Sequence, residues 1–125
     1  MNKTRFKKLN VSIAALCLGL ALSSTSWAKT ANCQVEEGGK LSFKGQCEFI
    51  LHENGSFSLQ NADSTKALLR EIMSLNVDIT QPNVAEVSDS LTYGNYTQWG
   101  AAQRSKTDKS CWVGNDFRIC ARATK

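Results

Sequence analysis

The side chains able to do chemistry are few in this chain, and their spacing argues against most reactions. His52 is the single histidine, and no serine sits in a Gly-x-Ser-x-Gly elbow, so no nucleophile is visibly paired with a base. Glu36-Glu37 and scattered aspartates are the material for a glycosidase-like carboxylate pair, but nothing in their spacing sets two of them across a cleft. No glycine-rich loop precedes a helix to cradle phosphate. The cysteines show no C-x-x-C spacing of the kind that binds zinc or cycles as a redox dithiol. The expectation is a protein that is not an enzyme and uses no metal or cofactor, with a small envelope hydrolase working through surface carboxylates as the alternative.

Recognition has better material. Tyr93-Gly94-Asn95-Tyr96-Thr97-Gln98-Trp99-Gly100 has the composition of contact loops in which rigid aromatic rings supply area at low entropic cost. Trp99 packed in the core under the two tyrosines is the competing reading. Near the C-terminus Arg104, Lys106, Lys109, Arg118, Arg122 and Lys125 face only Asp108 and Asp116, either as a solvated tail or as a docking patch for an acidic partner. Tyr93, Tyr96, Trp99, Arg104, Lys106 and Lys109 are therefore the candidate binding residues.

The compartment follows from residues 1–28. Lys3, Arg5, Lys7 and Lys8 precede an apolar run from Val11 to Leu22, and Ser26-Trp27-Ala28 offers small residues at both positions a signal peptidase reads. Cleavage after Ala28 is the expectation, with export to the periplasm or beyond. The apolar run is too short to span a bilayer, and Leu16 before Cys17 does not suit lipoprotein processing. Removal of this segment takes away four of the 15 basic residues and one of the five cysteines, leaving a domain over residues 29–125 with eleven basic and eleven acidic residues. A neutral mature chain gives no reason to expect nucleic acid as a partner.

Cys33, Cys47, Cys111 and Cys120 remain, an even number suited to two disulfides in an oxidising compartment. Of the three possible connectivities, Cys33 with Cys47 and Cys111 with Cys120 is favoured. A two-residue turn at Asn115-Asp116 would set Trp112 opposite Ile119 and Cys111 opposite Cys120, at a non-hydrogen-bonded position whose close α-carbons suit a disulfide. For the first pair, the simplest register places Cys33 beside Phe43, so Cys47 must be reached by a longer loop or a diagonal approach.

The elements that would carry these groups read mainly as strands. Leu41, Phe43, Gly45, Cys47, Phe49 and Leu51 alternate with polar residues, the period-2 signal of a half-buried strand. A three-residue loop at Glu53-Asn54-Gly55, with Gly55 left-handed, sets Phe57 opposite Leu51 and Leu59 opposite Phe49 and so keeps the apolar set on one face. His52 then lies on the polar face beside the turn. Asn61 to Glu71 has a helical look, with Asp63 or Ser64 as cap and a turn or two through Thr65 to Arg70. Met73, Leu75, Val77 and Ile79 mark another strand, Gln81-Pro82-Asn83 a turn, Val84 to Val87 a returning strand with Leu91 as its furthest reach, Tyr93 to Asn95 a turn, and Thr97 to Arg104 a further strand before a polar loop. The fold class expected is a small antiparallel sandwich or barrel-like sheet with one short helix and two disulfides.

The run Trp99-Gly100-Ala101-Ala102-Gln103-Arg104, with Ser110-Cys111-Trp112-Val113-Gly114-Asn115-Asp116-Phe117-Arg118-Ile119-Cys120-Ala121-Arg122, resembles the ending of a group of small exported bacterial proteins without assigned activity. The resemblance implies an exported disulfide module and carries over no catalytic residue. Size, export and disulfides lead to the expectation of a protein-binding module whose partner is an envelope or cell-wall-acting protein, as an inhibitor or immunity protein of a cell-wall-degrading enzyme would be. A purely structural envelope role is the bland alternative.

Overall fold

A computed structural model describes residues 27–124. The basic and apolar parts of the segment expected to be an export signal, Cys17 included, lie outside the described residues. Period-2 alternation is carried out as eight antiparallel strands, β1 (Trp27–Glu37), β2 (Lys40–Leu51), β3 (Phe57–Gln60), β4 (Ile72–Gln81), β5 (Val84–Leu91), β6 (Tyr96–Arg104), β7 (Cys111–Gly114) and β8 (Phe117–Ala123). Each pairs with the next, and β1 pairs with β8 from Ala31 opposite Ala123 to Glu37 opposite Phe117, closing an up-and-down barrel. Closure gives every strand a partner on both sides over part of its length and so removes the free edge strands of an open sheet.

The hairpins keep the registers that bury apolar side chains. Leu51 faces Phe57 and Phe49 faces Leu59, across a 3₁₀ turn at Glu53–Gly55 with positive φ at Asn54 and Gly55. Val35, Leu59, Leu75, Val77, Val87 and Ile119 are fully enclosed in the barrel interior. Each such side chain stabilises by about 1.5–3 kcal/mol relative to exposure. Eight strands enclose just enough room for side chains to fill. The outward positions of β2, β4 and β5 carry Lys44, Gln46, Glu48, Asn76, Asp78 and Glu86, the reverse of the lipid-facing pattern of a membrane-spanning barrel. No helix among the described residues is long and apolar enough to cross a membrane.

The stretch expected to form a short helix does not. Between Asn61 and Glu71 the chain makes turns and a single bridge between Leu69 and Ile72. Asp63 bends back on itself, its carboxylate accepting from the Thr65 N–H and hydroxyl. Leu68 and Leu69 are then drawn into the core, and Arg70 turns the chain with φ of 50°. Local side-chain bonding of this kind competes with helix formation. The only helical turn among the described residues is the one at Glu53–Gly55.

Both favoured disulfides are present. Cys111 stands directly opposite Cys120, with α-carbons 4.0 Å apart, and Trp112 opposite Ile119. In the first hairpin a bulge between Val35 and Glu36 shifts the register so that Cys33 faces Gly45, and Cys47 is reached diagonally at 5.9 Å. Gly114 belongs to the C-terminal clip for a steric reason, since a Cβ there would overlap the Phe117 ring. The two bridges fit an oxidising compartment. Replacing Cys111 and Cys120 by serine is expected to cost about 2–3 kcal/mol, lowering the melting temperature by roughly 10–20 °C. An unchanged thermal melt for the double variant would show that the clip adds nothing to the closed barrel.

Candidate functional site

An up-and-down barrel has two rims, and the sequence-derived binding residues divide between them. Tyr93 and Tyr96 stand at the rim formed by the Gly38-Gly39 turn, the 61–71 connection, the β5–β6 turn and the Asn115-Asp116 turn. Arg104, Lys106 and Lys109 lie at the other rim, where β6 ends and the loop to β7 begins. Eight residues of extended strand separate Tyr96 from Arg104, roughly 26 Å. They do not form one site.

At the first rim the tyrosines are 61% and 69% exposed. The Tyr93 hydroxyl donates to Glu71 at 3.1 Å, which together with the carboxylate charge raises its pKa. Tyr96 lies opposite Ser90 on the outer wall. Glu37 and Arg70 make a paired fork at 3.0 Å. Burial pushes Glu37 up, but the bonds from Arg70 and Ser42 and the Arg70 charge outweigh it, leaving the carboxyl below its usual value. Asp116 and Glu37 line a depression with Thr97 and Trp99, so carboxylates and aromatic rings stand together at this rim, with Arg70 paired to Glu37.

Beneath this rim lies the one buried carboxylate among the described residues, Asp89, which points inward opposite Thr97. One oxygen accepts from the Thr97 N–H and hydroxyl, both at 2.8 Å, and the other from the Trp99 indole N–H at 2.9 Å. Trp99 is half-buried at the β6 bulge, its ring edge-on to Phe117 at 5.4 Å. Trp99 is partly buried, packed against the core while lining a depression at the rim. The exposed rings here are the tyrosines, and Asp89, which no sequence pattern singled out, fixes the start of β6 beside Tyr96.

The other C-terminal basic residues sort into two groups, one on the outer wall of β8 and one at the second rim. Arg118 and Arg122 lie against the outward-facing Cys111–Cys120 bridge, with guanidinium nitrogens 3.4 and 3.7 Å from the Cys111 sulfur. Arg122 also pairs with Asp108. Arg104 instead lies over Trp112, 4.6 Å from the ring centroid, at the barrel mouth. Hydrogen bonds from Ser110, then from Arg122, hold the Asp108 carboxyl at about 2. Because this folded value is depressed, its stabilising effect is complete above pH ~4 and lost as pH falls towards 2.

His52 is exposed beside the β2–β3 turn, as the register requires, and sits 2.9 Å from the Ser58 hydroxyl. This is the nearest approach to a base and nucleophile. The proton of Ser58 is committed to Asn76 Oδ1, which also accepts from Ser74 while its amide donates to Ser90. With its proton given to Asn76, Ser58 is left as the acceptor for the Nε2–H tautomer of His52. Among the described residues no three His, Cys, Asp or Glu side chains gather as metal ligands do.

No protein-family model matches the chain, and neither the curated proteins nor the solved structures include a significant match. The geometry therefore stands alone.

Two measurements check this picture. Asp89→Ala strands the Trp99 and Thr97 donors and is expected to cost about 2–4 kcal/mol in urea unfolding, with a shift in tryptophan emission; wild-type stability would show the carboxylate to be dispensable. Asp108→Asn should flatten the loss of melting temperature between pH ~4 and ~2 relative to the parent chain. Parallel profiles for the two would dismiss the Ser110 and Arg122 bonds as the source.

Proposed function

We propose that this chain is an exported, periplasmic or secreted, protein-binding module that docks through its tyrosine-bearing rim onto a cationic partner, a cell-wall-degrading enzyme that it restrains. The observation that carries the reading is the pair Tyr93 and Tyr96, 61% and 69% exposed, on a rim with Glu37, Glu71 and Asp116. Large exposed aromatic rings on a rigid support gain contact area without much ordering cost. The Tyr93 bond to Glu71 and the Asp89 bonds at the start of β6 supply that support. Carboxylates around the rings favour a basic surface and speed its encounter.

The hydrolase alternative asks one carboxyl of a pair to keep its proton near neutral pH. Glu37 is displaced in the opposite direction, and Asp89 already accepts three hydrogen bonds. These features favour binding over hydrolysis as the reading.

Titrating the purified protein against a panel of envelope lytic enzymes, cationic muramidases first, while following the clearing of peptidoglycan suspensions, tests the proposal. A bound and inhibited enzyme is expected, with Tyr96→Ala weakening the complex about 10- to 100-fold at unchanged melting temperature. The proposal fails if no panel member is inhibited, or if Tyr93→Ala and Tyr96→Ala variants inhibit as well as the parent.

A further inference from the structure

The basic residues at the opposite rim form a separate built feature. A depression of about 410 Å³ opens between the β4–β5 turn at Asn83 and the loop that leaves β6, with Arg104, Ser105, Lys106 and Lys109 on its walls and no acidic residue among those lining it. Arg104 is held rigidly there. Its ring-facing side rests on Trp112, its Nε donates to Asn83 Oδ1 at 3.1 Å, and its Nη1 donates to the Lys109 carbonyl at 2.9 Å. Among the described residues its Nη2 has no hydrogen-bond partner. The guanidinium is thus fixed in place while keeping donors for a further acceptor.

The loop is equally fixed. Ser105 Oγ accepts from the Thr107 and Asp108 N–H groups, and the Ser105 N–H donates to the Cys111 carbonyl. Asp108, the one acid in the loop, is turned to Ser110 and Arg122 and contributes nothing to the lining. Lys106 and Lys109 are exposed and form no ion pair among the described residues. A planar guanidinium anchored in a depression that two lysines also line suits an oxyanion with several acceptor oxygens, for which Arg supplies geometry and Lys supplies charge.

We propose that this depression is a phosphate-binding subsite, in which Arg104 anchors one face of a phosphate group and Lys106 and Lys109 close over it. The anchoring is pre-organised, so little ordering opposes binding. The site lies at the rim away from the tyrosines and does not depend on the partner proposed there.

Calorimetric titration with inorganic phosphate and with pyrophosphate at low ionic strength, alongside sedimentation with phosphatidylcholine vesicles carrying phosphatidylglycerol, separates a soluble phosphate from a lipid headgroup. Saturable binding to either probe is expected, weakened about tenfold or more by the double variant Lys106→Gln/Lys109→Gln and by raised salt. Arg104→Lys, which keeps the charge and loses the fork, should also weaken it, whereas Lys44→Gln on the far wall should not. Soluble binding assigns a free or terminal phosphate, and vesicle binding alone assigns a headgroup. Absence of binding to both probes overturns the proposal. So does a double variant that binds like the parent, or a Lys44→Gln loss equal to that of the double variant, since binding would then follow net charge alone.

Discussion

The pairing of the first strand with the last is the constraint on which the rest of the molecule rests. Once Ala31 to Glu37 have taken Phe117 to Ala123 as partners, every inward position faces a space of fixed width, and side-chain volume must match it. Ala31, Ala85 and Ala102 stand on the same inner surface as Leu59, Leu75 and Ile119, so large and small side chains interdigitate. Side chains from all round the ring meet in the interior, and the chain segments free to vary lie at the two rims.

Those rims are finished differently. One is plugged from within by a carboxylate, Asp89, which receives the Trp99 indole and the Thr97 donors, and the other by a guanidinium, Arg104, lying on Trp112. Each charge orders its surroundings through charge-assisted hydrogen bonds, which are stronger than neutral ones. Acids and bases balance over residues 29–125 but are unevenly placed, with Glu71 and Asp116 near the exposed tyrosines and the unpaired Lys106 and Lys109 at the other rim. Of the remaining arginines, Arg70 pairs with Glu37 at the first rim, and Arg118 and Arg122 cover a disulfide.

What was legible in the sequence was local. The Cys111 to Cys120 clip could be drawn from its turn, and the Glu53-Asn54-Gly55 loop could be sized from which side of Leu51 and Phe49 had to be buried, because period-2 facing converts one register into a testable side-chain pattern. The bulge at Val35, which brings Cys33 diagonally to Cys47, carried no sequence signal beyond the cysteines themselves. A sandwich and a closed barrel differ only in the pairing of β1 with β8, residues far apart in the chain, and alternation cannot distinguish them. The 61–71 connection looked helical because Leu68 and Leu69 follow cap-like residues, yet the need to deliver both leucines to the barrel mouth outweighed a weak local preference. The candidate site was legible as residue types and not as a place. Tyr96 and Arg104 are close in sequence, but a single extended strand puts them at opposite ends. Asp89 gave no signal at all, since its role exists only once Trp99 has been brought beside it.

The two disulfides span 14 and 9 residues, each within its own hairpin. Short loops close quickly and at small entropic cost, so each bridge needs only the partner across its own turn, and neither depends on the pairing of β1 with β8 that closes the barrel. A covalent link inside each terminal hairpin thus fixes the two pairs of strands whose meeting completes the ring.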